Sequence, residues 1–233
     1  VMTAAIANKV ARVVHISTIS VYGYNNTHDI TEDTRPQPGN DAYPITKLEA
    51  EYEVQQLSAN HTIEYSIMRP GMIYGPRSSM WTKSMFNLAR RNPTPFIGDG
   101  SGTCYPIHVE DVARMALILT THPAANGEIF NCTPDPSPTW REFLGKYATL
   151  TGKDSWFGIP PILLKPVVGI LGMFAPKHSP LKDTPALLSF LQRTLTYRTG
   201  KAHAILGWQP QIDLQTGIAS CIPYLQEKGL LRS

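Results

Sequence analysis

Tyr43 and Lys47 are the residues whose types and spacing point most directly to chemistry. They lie four residues apart in the segment Asp41-Ala42-Tyr43-Pro44-Ile45-Thr46-Lys47, so a helix would carry both side chains on one face. A nearby cation stabilises a phenolate relative to a phenol. A tyrosine in that setting can donate or accept a proton at an alcohol or a ketone. Taken alone, the spacing is more typical of an ordinary surface pair.

A helix over 42–58 must position this pair. Asn40 or Asp41 is suited to cap its first turn, and Pro44 falls where a missing N–H costs nothing. Helical spacing then relates three apolar residues that we expect to face the core. They are Ile45, Leu48 and Tyr52.

Two strands flank that helix. Val13 to Gly23 is typical of a short buried strand that runs into a hydroxyl-rich turn, and Tyr65 to Arg77 is typical of a strand that ends in a Pro/Gly loop. With a helix over 2–9 and strands over 12–17 and 64–69, helices and strands alternate. This order predicts an α/β fold with a parallel sheet and crossover helices, whose site collects at the carboxyl ends of the strands.

The rest of the chain predicts a second, smaller part. Helices are expected over 80–91, 110–121 and 139–151, a strand over 128–131, and a plain turn over 98–102. His108 and Asp111 are expected to shape and cap the second of these helices. From residue 137 the sequence indicates a mostly helical, substrate-binding part, so we divide the chain into 1–136 and 137–233.

Composition excludes several classes of protein. Of 233 residues, 42% are hydrophobic and 17% charged, and the net charge is +3. The basic residues form no run typical of nucleic-acid binding. Cys104, Cys132 and Cys221 form no C-x-x-C pair, which favours reduced thiols in a cytoplasm. No spacing of histidines or cysteines predicts a metal site.

In combination, these segments resemble the extended short-chain dehydrogenase/reductase family, which includes sugar-nucleotide epimerases and dehydratases and 3β-hydroxysteroid dehydrogenases. The resemblance continues, in the family's order, through four later segments. They are Gly98-Asp99-Gly100-Ser101, His108-Val109-Glu110-Asp111-Val112-Ala113, Gly127-Glu128-Ile129-Phe130-Asn131 and Leu206-Gly207-Trp208-Gln209-Pro210. The resemblance implies a Rossmann-like fold that binds NAD or NADP and acts on a small-molecule substrate. A homodimer is compatible with it.

The resemblance also implies roles for single residues. Tyr43 would be the general acid/base, and Lys47 its electrostatic partner that also binds the nicotinamide ribose. Thr18 would hold the substrate oxygen, although Ser17 and Ser20 lie close to it. The alternatives are a packed surface tyrosine, an ion pair between Lys47 and Glu51, and a Thr18 hydroxyl that satisfies its own backbone.

The loop Pro70-Gly71-Met72-Ile73 is implied to lie against the nicotinamide through backbone groups, and a simple turn is the alternative. The family's opening strand, glycine-rich turn and helix have no counterpart before Val13. The resemblance therefore implies that these residues are the carboxyl-terminal part of a longer enzyme. In the family, the residue that distinguishes NAD from NADP belongs to the amino-terminal part that has no counterpart here.

Two departures from the family pattern bear on the substrate. Sugar-nucleotide enzymes of the family usually carry Asn and Arg where this sequence has Met72 and Cys104, and neither side chain is a strong donor to a diphosphate. Ile159 to Phe174 is apolar enough to line a site for a hydrophobic, sterol-like alcohol. A buried helix and, least favoured, contact with a membrane surface are the alternatives for that stretch. A sugar-nucleotide epimerase or dehydratase and a non-catalytic family member are the alternative functions.

Overall fold

The computed structural model describes residues 1–24, 28–152, 155–160, 162–163, 188 and 191–232. In this part of the chain the helices are α1 Met2–Ala7, α2 Ala42–Asn60, α3 Met85–Ala89, α4 Val109–Thr121, α5 Trp140–Thr149, α6 Gly200–Leu206, α7 Leu214–Ala219 and α8 Ile222–Glu227. The strands are β1 Arg12–Ile16, β2 Asp29–Ile30, β3 Glu64–Pro70, β4 Met72–Tyr74, β5 Thr94–Ile97, β6 Pro106–His108, β7 Glu128–Cys132, β8 Trp156–Ile159 and β9 Thr196–Tyr197. A π-helix, Ser79–Ser84, precedes α3, and 3-10 turns lie at Ile19–Tyr22 and Pro123–Ala125.

The central sheet consists of three parallel strands in the order β1-β3-β7. Ile16 at the end of β1 lies opposite Met68 of β3, and Pro70 at the end of β3 lies opposite Cys132 of β7. Since the strands run in one direction, the segments that follow them meet at a single edge of the sheet. The predicted α/β class with a parallel sheet is confirmed.

Helices pack on both faces of this sheet. Val13 of β1 packs with Met2 of α1 and Val54 of α2. Its neighbour Val14 faces the other way and packs with Met115 of α4. Adjacent residues of a strand point to opposite faces, so a continuous apolar run is what a strand covered on both sides requires.

The predicted helix caps are found in the structure. The Asp41 carboxylate accepts a hydrogen bond from Tyr43 N at the start of α2. His108 Nδ1 accepts one from Glu110 N at the start of α4. Thr139 forms a capping box with Glu142 at the start of α5. Each bond satisfies backbone N–H groups that a first helical turn leaves without a partner.

The predicted helix over 80–91 is wrong in its first half, where the chain forms the π-helix. Lys83 N donates to Ser78 O at 3.0 Å, a bond five residues long. Thr82 Oγ1 accepts from Gly75 N at 3.0 Å and donates to Gly75 O at 2.8 Å. The Thr82 bonds connect the first turn to the end of β4. The turn itself is wider than an α-helical turn, with bonds between residues five apart.

Strands β4, β5 and β6 were not predicted, because they are only three or four residues long and lie among prolines and glycines. β4 pairs with β6 and β5 with β8, all in parallel. Pro95 lies inside β5 and Pro106 begins β6. Among the described residues each of these strands has one partner, so a proline without an N–H is tolerated.

A second apolar cluster joins these strands to the helices of the last third of the chain. Phe86 of α3, Phe96 of β5, Phe143 and Tyr147 of α5 and Leu225 of α8 all belong to it. Pairing also crosses the predicted division at residue 137, since β5 pairs with β8 and β2 with β9. The division into 1–136 and 137–233 stays a prediction. None of the described helices has both the length and the apolar character needed to cross a membrane.

Two helical glycines give a matched test of this packing. A Cβ on Gly217 of α7 would lie 2.1 Å from the Tyr74 hydroxyl, whereas a Cβ on Gly145 of α5 meets nothing within 4 Å. We expect Gly217→Ala to destabilise the fold by about 1–3 kcal/mol through overpacking. Gly145→Ala should leave stability unchanged or raise it by about 0.5–1 kcal/mol. Thermal unfolding of both variants measures this, and equal midpoints would contradict the described contact between α7 and β4.

Candidate active site

Thr18 lies immediately beyond the end of β1 and is 7% exposed. Its Oγ1 accepts a hydrogen bond from Ser20 N at 3.1 Å and thereby caps the 3-10 turn that ends at Tyr22. The hydroxyl also donates to Ser20 Oγ at 3.1 Å. The local backbone bond that the sequence offered as an alternative is therefore present. Only the bond to Ser20 Oγ must be exchanged for Thr18 to donate to a ligand.

Tyr43 lies in the first turn of α2 and is 52% exposed. Pro44 and Leu48 are the buried residues of the same region of the helix, and Leu48 packs in a cluster with Ile19 of the turn after β1. Tyr52, which the sequence assigned to the apolar stripe, is 56% exposed, and that assignment is wrong. The helix therefore packs against the turn that contains Thr18 and leaves the Tyr43 side chain accessible.

Lys47 connects the helix to the strand. Its Nζ donates to the carbonyl oxygen of Ile16 at 3.0 Å. Ile16 is the last residue of β1 and stands two residues before Thr18. The alternative ion pair between Lys47 and Glu51 is not formed, because the Glu51 carboxylate binds Arg69 instead. The ammonium group thus lies at the carboxyl end of β1.

Pro70, Gly71, Met72 and Ile73 do not form a loop. Pro70 ends β3 and Met72 begins β4, so that Gly71 alone links two strands. Gly71 N donates to Cys132 O at 3.0 Å and Met72 N to Tyr105 O at 2.8 Å. Since both N–H groups are used inside the fold, a ligand at this segment would contact other atoms of it.

Ser17 is a residue that the sequence analysis named only as a neighbour of Thr18. It is 3% exposed, and its Oγ has no hydrogen-bond partner among the described residues. A buried hydroxyl without a partner is costly, so such a group is usually satisfied by a bound molecule or by water. Together with the Lys47 ammonium at the same strand end, this hydroxyl fits the ribose hydroxyls of a nicotinamide cofactor.

His108 and Asp111 have structural roles, as predicted. His108 Nε2 lies 3.1 Å from Ser220 Oγ, and Asp111 is fully buried. Its two carboxylate oxygens accept from Gln211 N at 3.0 Å and Ile212 N at 3.2 Å, and it pairs with Arg114. Asp111 thus fastens the 208–212 segment to α4. Within the described ranges no group of histidine, cysteine, aspartate and glutamate side chains could hold a metal ion.

An apolar cavity of about 190 Å³ lies between α3, β5 and α5. Its walls are almost entirely hydrocarbon, and the lining residues are Met85, Leu88, Pro95, Phe96, Ile97, Gly100, Trp140, Leu144 and Leu191. The stretch Ile159 to Phe174, which the sequence predicts as a substrate wall, falls mostly outside the described residues. Ile162 and Leu163 are described, and they are 75% and 64% exposed.

Met72 and Cys104 are both buried and do not line this cavity. They belong to the same apolar cluster as Phe86, Phe96 and Leu144. Burial raises the pKa of the Cys104 thiol well above its ordinary value, so it remains neutral. Neither residue presents a charged or strongly polar group to a ligand.

Comparisons with known proteins give relatives of two kinds. The chain is 26% identical to 3beta-hydroxysteroid-dehydrogenase/decarboxylase isoform 2 of Arabidopsis thaliana, over 95% of this chain and 43% of the relative. It is 28% identical to isoform 1 of the same plant, over 95% of this chain and 55% of the relative. It is 27% identical to UDP-glucose 4-epimerase of Mycolicibacterium smegmatis, over 94% of this chain and 64% of the relative. The chain thus spans about half the length of the two plant relatives.

Solved structures show the fold. UDP-glucose 4-epimerase of Thermotoga maritima superposes with a TM-score of 0.73 at 20% identity and covers 97% of this chain and 67% of its own. UDP-glucuronic acid 4-epimerase from Bacillus cereus, solved in complex with NAD, gives a TM-score of 0.73 at 22% identity. The superposition covers 97% of this chain and 65% of that protein. Both share the parallel sheet with helices described above.

The sequence model of the NAD dependent epimerase/dehydratase family matches residues 1–133. That range holds the strand end at Thr18, the helix of Tyr43 and Lys47, and the three strands of the central sheet. The family match also agrees with the resemblance drawn from the sequence motifs. Because the match covers more than half of the 233 residues, the chain belongs to the NAD dependent epimerase/dehydratase family.

Proposed function

We propose that this chain carries the catalytic residues of an NAD(P)-dependent oxidoreductase that acts on a secondary alcohol or ketone of hydrophobic, sterol-like character. The observation that carries the proposal is the hydrogen bond from Lys47 Nζ to Ile16 O. It holds the helix of Tyr43 at the strand end that leads into Thr18. A phenol, an ammonium and a hydroxyl group are thereby supplied at one edge of the sheet.

The three residues have different tasks in this mechanism. In the direction of oxidation, Tyr43 accepts the hydroxyl proton of the alcohol, and in reduction it returns that proton to the carbonyl oxygen. Lys47 supplies a positive charge on the same helical face and binds the ribose of the cofactor. Thr18 donates a hydrogen bond to the reacting oxygen and stabilises its developing negative charge. NAD or NADP, when bound, accepts or supplies the hydride at the carbinol carbon.

The cofactor would be held at the nicotinamide end by Tyr43, Lys47 and the segment Pro70 to Ile73. Lys47 and the hydroxyl of Ser17 are the polar groups suited to ribose. At Pro70 to Ile73 the contact would be made by side chains and carbonyl groups, since the N–H groups of Gly71 and Met72 are already bonded.

The apolar environment of Met72 and Cys104 supports a hydrophobic substrate. Recognition of a diphosphate requires strong donors such as an arginine fork, and these two buried side chains offer none. The cavity between α3, β5 and α5 has almost no polar group in its wall, which favours the burial of hydrocarbon. The relationship to UDP-glucose 4-epimerase of Mycolicibacterium smegmatis supports a sugar-nucleotide epimerase as the second candidate.

The first prediction concerns the proton transfer. In the full-length protein, Tyr43→Phe should lower turnover at least about a hundredfold, the usual effect of losing an acid/base group. The affinity for NADH should change little, because Lys47 remains. Tyr52→Phe is the matched control, since Tyr52 lies on the same helix with a similar exposure of 56%. Steady-state kinetics and a cofactor titration measure both effects, and near-normal turnover of Tyr43→Phe would refute the catalytic assignment.

The second prediction concerns the substrate. Leu88 lines the apolar cavity, so Leu88→Glu should raise the Michaelis constant for a 3β-hydroxysteroid at least about tenfold, because a buried carboxylate disfavours hydrocarbon. Leu117→Glu is the control, since Leu117 is 69% exposed on α4 and lines no described cavity. Affinity for the cofactor should be unchanged in both variants. If only UDP-glucose is turned over, the epimerase candidate replaces the dehydrogenase.

A further inference from the structure

A buried ion pair joins helix α2 to the end of β3. Glu51, one turn after Lys47, is 1% exposed, and Arg69, the residue before Pro70, is 3% exposed. Arg69 Nε donates to Glu51 Oε1 at 3.0 Å, and Nη2 donates to Oε2 at 2.6 Å. Two parallel directional bonds fix the orientation of the helix as well as its distance from the strand.

The same guanidinium group holds the turn that follows Thr18. Arg69 Nη1 donates to the Tyr22 hydroxyl at 2.8 Å, and its Cζ lies 4.8 Å from the centroid of the Tyr22 ring. The hydroxyl in turn donates to Asn131 Oδ1 of β7 at 2.8 Å. Burial raises the pKa of Tyr22 to about 12, so the group remains a phenol and keeps its proton for Asn131.

Stability alone is a weak explanation for this arrangement. Two charges that lose their hydration on burial return little net stability, and apolar side chains of similar volume often serve as well. What distinguishes Arg69 is that one planar group joins the turn capped by Thr18 to the helix of Tyr43 and Lys47. Tyr43 is half exposed, so its position follows that of the helix and not that of a surrounding core.

We propose that Glu51, Arg69 and Tyr22 are positioning residues, which set the orientation of α2 so that Tyr43 and Lys47 lie opposite Thr18. The inference depends on the proposed function for its kinetic consequence. A displacement of about 1 Å between reacting groups can reduce a rate by about a hundredfold. The network therefore acts on turnover through geometry, since all three residues are buried in the fold.

Tyr22→Phe tests the connection with the least disturbance, because it removes one hydroxyl and leaves the pair of Glu51 and Arg69 intact. In the full-length protein with NAD and a 3β-hydroxysteroid, kcat should fall about tenfold or more, while the Michaelis constants change less than about threefold. Tyr147→Phe is the matched control. Tyr147 is equally buried, and its hydroxyl makes two hydrogen bonds, both at 3.2 Å, to Trp81 O and Thr82 Oγ1. It should lower the melting temperature similarly without lowering kcat.

The double variant Glu51→Leu with Arg69→Met removes both buried charges together. Such an exchange leaves no unpaired charge, so the protein should fold with a melting temperature near that of the wild type. Turnover should nevertheless fall at least about tenfold. Arg69→Lys should not restore it, because a lysine keeps the charge but lacks the planar fork.

A readout without substrate or cofactor separates this inference from the proposed function. In the protein alone, amide hydrogen exchange over residues 43–48 should become at least about five times faster in Tyr22→Phe and remain unchanged in Tyr147→Phe. Unchanged exchange together with unchanged kcat would overturn the positioning role, even if the double variant does not fold. If exchange changes as expected but Tyr43→Phe retains turnover, the positioning role stands and the proposed function fails.

Discussion

The hydrogen bond from Lys47 to the carbonyl oxygen of Ile16 is the contact on which the rest of this site depends. It can form only because β1 and β3 are parallel neighbours whose carboxyl ends share one edge, with α2 crossing between them. The bond brings a cation from a helix to the point where the strand passes into the Thr18 turn. The bond adds to the packing of Leu48 on Ile19, which holds the helix of Tyr43 against the turn that follows Thr18.

The residues around this contact differ in how far they are exposed to solvent. The residues assigned to chemistry are accessible or lie at a strand end, as the half-exposed Tyr43 does. The residues that orient them are enclosed, as Glu51 and Arg69 are. A buried pair is rigid because separating the two groups would leave each charge buried without a partner. An exposed phenol held by a rigid support is free to meet a ligand while its backbone stays in place.

Local features of this site could be predicted from sequence, and long-range pairings could not. Asp41 as a cap and Tyr43 and Lys47 on one helical face follow from spacing along a few residues, and each is found. An ion pair of Glu51 with Lys47 was the alternative that helical spacing offered. The actual partner of Glu51 is Arg69, eighteen residues away, since the helix turns that carboxylate into the core. The available signal was Arg69 directly after the apolar Ile67 and Met68, because a guanidinium group on a buried strand requires hydrogen-bonding partners.

The segment Pro70 to Ile73 illustrates the same limit. Proline and glycine favour a loop by local rules, but pairing with β7 and β6 keeps the chain extended on both sides of Gly71. Those pairings also direct Met72 into the apolar cluster that contains Phe96 and Leu144. The proposed hydrophobic substrate thus rests on packing from several strands and helices, which local patterns describe poorly.

Deuterium transfer tests the central claim most directly. The full-length protein would be given NAD and a 3β-hydroxysteroid deuterated at the carbinol carbon, and the cofactor and the steroid would be analysed by mass spectrometry. The account predicts that one deuterium per turnover appears in the reduced cofactor and that the steroid product is a ketone. Deuterium that stays in the organic product, with no net reduction of the cofactor, would contradict it.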